Sequence, residues 1–244
     1  MERDNPFYNA RIKFYPNGTQ KITVFNKGVF NPDGWERFQP GKEGERQKDK
    51  REYDVTNPRS DNVKQSRDKI FDLAIMNEWT HFVTLTLDGE KIDRYDVDQV
   101  RKKVRKWLEH AVSRKNLRYI LIPEYHKDGA IHFHGLFFGD LTYLDSGKKD
   151  KQGRPLLNIK EWRLGFSSAV RLDGNSIAIS RYITKYITKS NNKIFGSWAL
   201  RGGHGLVREV PSDYAHVDFD LVDGVVYEIP QAGLKVKYIV VGEI

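Results

Sequence analysis

The chain has 244 residues, 39% hydrophobic and 12% aromatic, which supports a packed core and argues against wholesale disorder. It lacks cysteine, which excludes disulfides and thiolate metal sites, and no apolar run approaches a membrane span, so a soluble, cytoplasmic protein with no membrane partner is expected. The formal net charge is +8, yet from Asp213 onward six acids face only Lys235 and Lys237, so the preceding residues carry +12; such a basic body favours a polyanion such as nucleic acid.

Ala10 to Tyr15 and Gln20 to Phe25 alternate apolar with polar residues around Pro16, Asn17, Gly18 and Thr19, which predicts an N-terminal β-hairpin. Residues 40–60 are rich in mixed charge and poor in apolar side chains, the composition of a linker. A helix is predicted from Ser60 and Asp61, turning Ile70, Phe71, Ala74 and Ile75 toward a core. Thr80 to Leu87 is an alternating, β-branched strand. Asp96 is placed to cap a second helix in which Val97, Val100, Val104, Trp107, Leu108 and Ala111 keep helical spacing. Its other face carries Arg101, Lys102, Arg105 and Lys106, read as a solvated surface.

Leu117 to Tyr125 and Ile131 to Phe138 are predicted strands joined by a turn at Lys127, Asp128 and Gly129. A loop over 147–153 follows, then a strand from Gly165 to Leu172 and a helix from Ser176 to Lys189. This order predicts an α+β fold, an antiparallel sheet with helices covering one face. Val225 to Tyr227 and Val236 to Val241 are strand-like but have no assigned place. The expected division is hairpin and linker over 1–59, core over 60–200, and a C-terminal segment of unassigned role over 201–244.

His132 and His134 alternate with Phe133 along a strand, so both imidazoles project from one face. If the hairpin folds symmetrically about Asp128, Glu124 falls opposite His132 on that face. One carboxylate and two imidazoles suit a divalent ion, Mg²⁺ or Mn²⁺ among others, with positions left for a phosphate oxygen and water. The alternative makes them ordinary strand histidines and a solvated acid. His126 is read as a surface residue, and His81, His110, His204 and His216 as structural.

Ile179, Tyr182, Ile183, Tyr186 and Ile187 follow the spacing of a buried helix face, so the tyrosines read first as packing residues. They also stand one turn apart at the edge of that stripe, with Lys185 and Lys189 a turn further on. A phenol, with a pKa near 10, needs help to act as a nucleophile. A neighbouring cation and a lysine would favour the phenolate and neutralise a phosphate under attack. Phenol also leaves more readily than a sugar hydroxyl, so a phosphotyrosine bond can be reversed without ATP.

With these residues in place the chain resembles the HUH superfamily of rolling-circle replication initiators, and most nearly its two-tyrosine phage and plasmid proteins, the filamentous-phage gene II and microvirus gene A class. Phe82 to Leu87 is similar to the first motif, a core strand, His132, Phe133, His134 and Gly135 to the metal-binding motif, and Tyr182 through Lys189 to the nucleophile motif. The resemblance covers roughly residues 60–200 and implies a ferredoxin-like HUH core. It also implies a site-specific, metal-dependent endonuclease and strand transferase of a bacterial host cytoplasm. Glu124, His132 and His134 would hold the metal, Tyr182 and Tyr186 would be nucleophiles, and Lys185 and Lys189 would hold phosphate. The implied partners are single-stranded or hairpin origin DNA, a host helicase and a host polymerase. Two alternatives stay open: a non-catalytic nucleic-acid-binding module, and a metal-dependent phosphodiesterase using activated water.

Overall fold

The structure is a computed structural model that describes residues 7–31, 60–173, 177–190, 193–229 and 232–242; the side chains of 60–62 and 188–190 lie outside the described residues, as does nearly all of the expected linker. The chain divides into two compact units, one of Met1–Glu52 with Glu209–Ile244, the other of Tyr53–Arg208. Described elements comprise twelve strands in two antiparallel sheets and three helices, the expected α+β class and consistent with an HUH core.

The first unit holds a five-stranded sheet. Strands β1 (Ala10–Phe14) and β2 (Gln20–Phe25) form the expected hairpin, closed by the Tyr15 and Gly18 turn hydrogen bonds, with Gly18 at a φ of 79°. The C-terminal segment that local pattern could not place completes this sheet. β10 (Ser212–Ala215) pairs with β1, β12 (Leu234–Val241) pairs with β2, and β11 (Val226–Ile229) takes the edge.

In the second unit the helices are α1 (Ser60–Ile75), α2 (Val97–Lys115) and α3 (Ile177–Ser190). Its seven-stranded sheet contains β3 (His81–Leu87), β4 (Arg118–Tyr125), β5 (Ile131–Phe138), β6 (Tyr143–Lys149), β7 (Pro155–Ile159), β8 (Gly165–Arg171) and β9 (Leu200–Gly202). Their order across the sheet is β6-β7-β8-β3-β5-β4-β9. Asp96 caps α2 as expected, its Oδ1 accepting from the amides of Asp98 and Gln99.

Two details differ from expectation. The segment over 147–153 is no simple loop: β6 and β7 pair there as a hairpin with a register shift between Asp145 and Lys148. Its polar run lacks the period-2 alternation that marks a half-buried strand, because most of β6 is exposed. The helices also do not share one face. α2 packs Val100, Val104, Leu108 and Ala111 on Val83, Leu85, Leu121, Phe133 and Phe137. α1 and α3 pack Ile70, Leu73, Ile183 and Ile187 on Ile120, Ile122 and Leu136 of the opposite face. Alternation puts both sets on the same strands, so the central strands are apolar on both faces and need cover on both.

Candidate active site

The site lies on the α1–α3 face, where β4 and β5 run side by side. Their turn fixes the register. Gly129 takes a φ of 85°, Asp128 Oδ1 accepts from the Ala130 amide at 3.0 Å, and the Arg94 guanidinium holds the other carboxylate oxygen at 3.0 Å. Glu124 therefore pairs directly with His132, as the symmetry about Asp128 predicts. Gly135 lets the two strands meet: a Cβ there would stand 2.5 Å from the Ile120 carbonyl oxygen and 2.8 Å from Leu121 Cδ1.

Three ligand-type atoms converge. Glu124 Oε2 lies 3.0 Å from His134 Nε2 and 3.2 Å from His132 Nε2, and the two imidazole nitrogens are 3.3 Å apart. Their side chains are 13–16% exposed, reachable but largely desolvated. Glu124, His132 and His134 could together hold a metal ion. The spacing fits such a group: ligand atoms about 2.1 Å from one ion stand roughly 3.0 Å apart at octahedral angles and about 3.4 Å apart at tetrahedral ones. Thr84 Oγ1 lies 3.1 Å from His134 Nδ1. Accepting the Nδ1 proton, it turns the Nε2 lone pair toward the other two groups. Sequence reading placed Thr84 in a core strand without a role at the site, although the alternation of Val83, Leu85 and Leu87 with Thr84 and Thr86 signals a polar face beside the histidines.

α3 brings both tyrosines over this face. Ile183 and Ile187 anchor the helix in the core, which sets Tyr186 above His134 with ring centroids 3.9 Å apart and planes 22° from parallel. The Tyr186 hydroxyl donates to the Tyr182 oxygen at 2.9 Å. Phe82, on the same strand as Thr84 and likewise given no role at the site by its sequence, meets the Tyr182 ring edge-on at 5.1 Å and lies 6.0 Å from Tyr186. The pair is unequal: Tyr186 is 6% exposed and Tyr182 48%. Burial pushes the Tyr186 phenol well above its ordinary range, reinforced by its hydrogen bond to Tyr182, by Tyr182 itself and by the Glu124 carboxylate. Tyr186 is thus held protonated, as the donor.

Lys185 is exposed on α3, and the Lys189 side chain lies outside the described residues. His126 is exposed, its ring edge-on to His132 at 5.5 Å, and its Nδ1 lies 3.2 Å from Asp128 Oδ1. His81 points to the other face and stacks on Tyr143 at 3.6 Å.

No helix among the described residues is long and apolar enough to cross a membrane. No curated protein and no solved structure matches the chain. Residues 80–191 match the family model of the replication-associated protein ORF2/gene II protein, a span running from β3 through α3 that takes in Glu124, both histidines and both tyrosines. This similarity supports a rolling-circle replication initiator that binds DNA.

Proposed function

We propose that the protein nicks single-stranded or hairpin origin DNA and transfers the broken strand to itself through a tyrosine, starting rolling-circle replication. One observation carries the proposal: two hydrogen-bonded tyrosines lie against a Glu-His-His cluster, the inner ring stacked on a cluster histidine. A purely structural pair of tyrosines needs no convergent ligand set beneath it.

Tyr182 is the first nucleophile. Its exposure lets a DNA backbone reach it, and its oxygen, accepting a hydrogen bond from Tyr186, has charge stabilised as its proton leaves. Its Oη forms a bond to phosphorus as the bond to the 3′ oxygen breaks, giving a 5′-phosphotyrosine and a 3′-hydroxyl. The proton lost by the phenol is balanced by the one the 3′ oxygen takes up, and the number of phosphoester bonds is unchanged. A divalent ion held by Glu124, His132 and His134, Mg²⁺ or Mn²⁺, would supply charge stabilisation at the scissile phosphate. Lys185 and Lys189 neutralise phosphate, and Tyr186 serves the second transfer that reseals a circle. A host polymerase extends the 3′-hydroxyl, and a host helicase opens the duplex ahead of it.

Covalent trapping tests this. Labelled single-stranded DNA carrying candidate origin hairpins is incubated with Mn²⁺ or with EDTA and run on a denaturing gel. The expected result is a metal-dependent shifted band, lost in the Tyr182→Phe, Tyr186→Phe double variant. Cleavage without an adduct that survives both substitutions would instead indicate water-activated hydrolysis; salt-sensitive binding with neither would indicate a binding module.

A further inference from the structure

Beside the tyrosines, on the side away from Glu124, a cleft of about 550 Å³ opens between the β6–β7 turn and α3. Thr84, Ser168 and Val170 line it from the sheet, Gln152 and Arg154 from the turn, and Tyr182 from α3. Its volume lies within the usual range of ligand pockets, roughly 300–1,000 Å³. The turn is shaped by Asp150: Oδ1 accepts from the Gln152 and Arg154 amides, and Oδ2 holds Arg154 Nε at 2.7 Å. Lys148, Lys149 and Lys151 are exposed along the same hairpin, so cations line the approach.

A second feature lies on the same sheet face. Thr86 pairs with His132 on one side and Phe166 on the other, placing Phe166 in the same cross-strand row as His132 and Glu124. Phe166 is 71% exposed. An exposed ring on a strand face, in line with a phosphate-attacking site, is the arrangement proteins use to stack unpaired bases.

We infer that this cleft is a nucleotide-recognition subsite, seating one base of the substrate strand beside the phosphate that Tyr182 attacks, while Phe166 stacks a neighbouring base. The inference rests on the proposed tyrosine chemistry, because Tyr182 is the wall common to cleft and reaction centre. The Gln152 amide and Ser168 hydroxyl offer both donors and acceptors to a base edge, and the hairpin lysines meet the backbone. Discrimination would thus be exercised at the cut itself.

The test starts from a pool of single-stranded DNA with a randomised segment, incubated with the full chain and Mn²⁺. DNA recovered from the covalent adduct is sequenced, and affinity for the selected sequence is then measured in EDTA. Phe166→Ala is expected to weaken that affinity about tenfold, the loss of one stacked base. Gln152→Ala is expected to broaden base preference at one position next to the cut. Both positions are exposed, so thermal melting should report an intact fold. If wild type forms adducts and both variants keep its affinity and preference, the subsite does not exist. If wild type forms no adduct with any sequence, the tyrosine chemistry itself fails, and the inference falls with it.

Discussion

On β3, Val83, Leu85 and Leu87 are sealed against other apolar side chains, whereas Phe82, Thr84 and Thr86 look toward the histidines and α3. The same division runs through β5, where Phe133 and Phe137 are fully buried and His132 and His134 keep some exposure. The α2 face is a closed core with large rings filling it. The α3 face is a core at one end and opens, at the other, into a cluster of polar groups that a packed interior would not tolerate unpaired. The lesson is that one sheet can separate stability from chemistry by strand parity alone, so adjacent residues should fail in different ways when changed.

The largest contrast is between neighbours. Phe133→Ala should cost about 3–5 kcal/mol in chemical denaturation, because a fully buried ring leaves a cavity. His132→Ala, one residue away, should change stability by less than about 1 kcal/mol and abolish the covalent adduct. A globally unfolded His132→Ala would break the comparison. Gly135→Ala should come next, destabilising by about 2–3 kcal/mol, since the clash is with the Ile120 carbonyl and cannot be relieved by a rotamer change. It should also weaken Mn²⁺ binding, because the pairing that sets Glu124 against His132 is disturbed. Thr84→Val keeps the side-chain shape but removes the acceptor for His134 Nδ1. Calorimetric titration should show Mn²⁺ affinity reduced roughly 10- to 100-fold with the melting temperature almost unchanged.

The smallest effect distinguishes the histidines of the two faces. His81, partly buried on the α2 side, is lowered to about 4 by burial first and by the Arg171 charge second. Between its ordinary value of 6.5 and about 4 the unfolded chain takes up a proton that the folded chain refuses. That contribution therefore works against the fold as pH falls through this window and is absent above it. His81→Gln should flatten the decline of stability between pH 6.5 and pH 4; an unaltered slope would show that His81 does not titrate as its surroundings imply.

Much of the site could be read locally. The parity of His132 and His134, and the position of Asp128 midway between Glu124 and His132, are properties of one hairpin. The tyrosine stripe is a property of one helix. What could not be read depends on tertiary partners. The unequal burial of Tyr182 and Tyr186 follows from where α3 lands on the sheet, not from their identical spacing to a lysine. The pairing of β2 with β12 joins segments at opposite ends of the chain, and nothing in either strand names its partner. The β6–β7 hairpin was hidden because its exposed residues carry no alternation, and with it the cleft beside Tyr182.

The most direct test of the account is to digest the covalent protein–DNA adduct formed in Mn²⁺ and to locate the modified residue by mass spectrometry. The account predicts a 5′-phosphate on Tyr182, appearing on Tyr186 when a second cut is permitted. A nucleotide attached to any other residue, or cut DNA carrying free phosphate and no attached peptide, would contradict it.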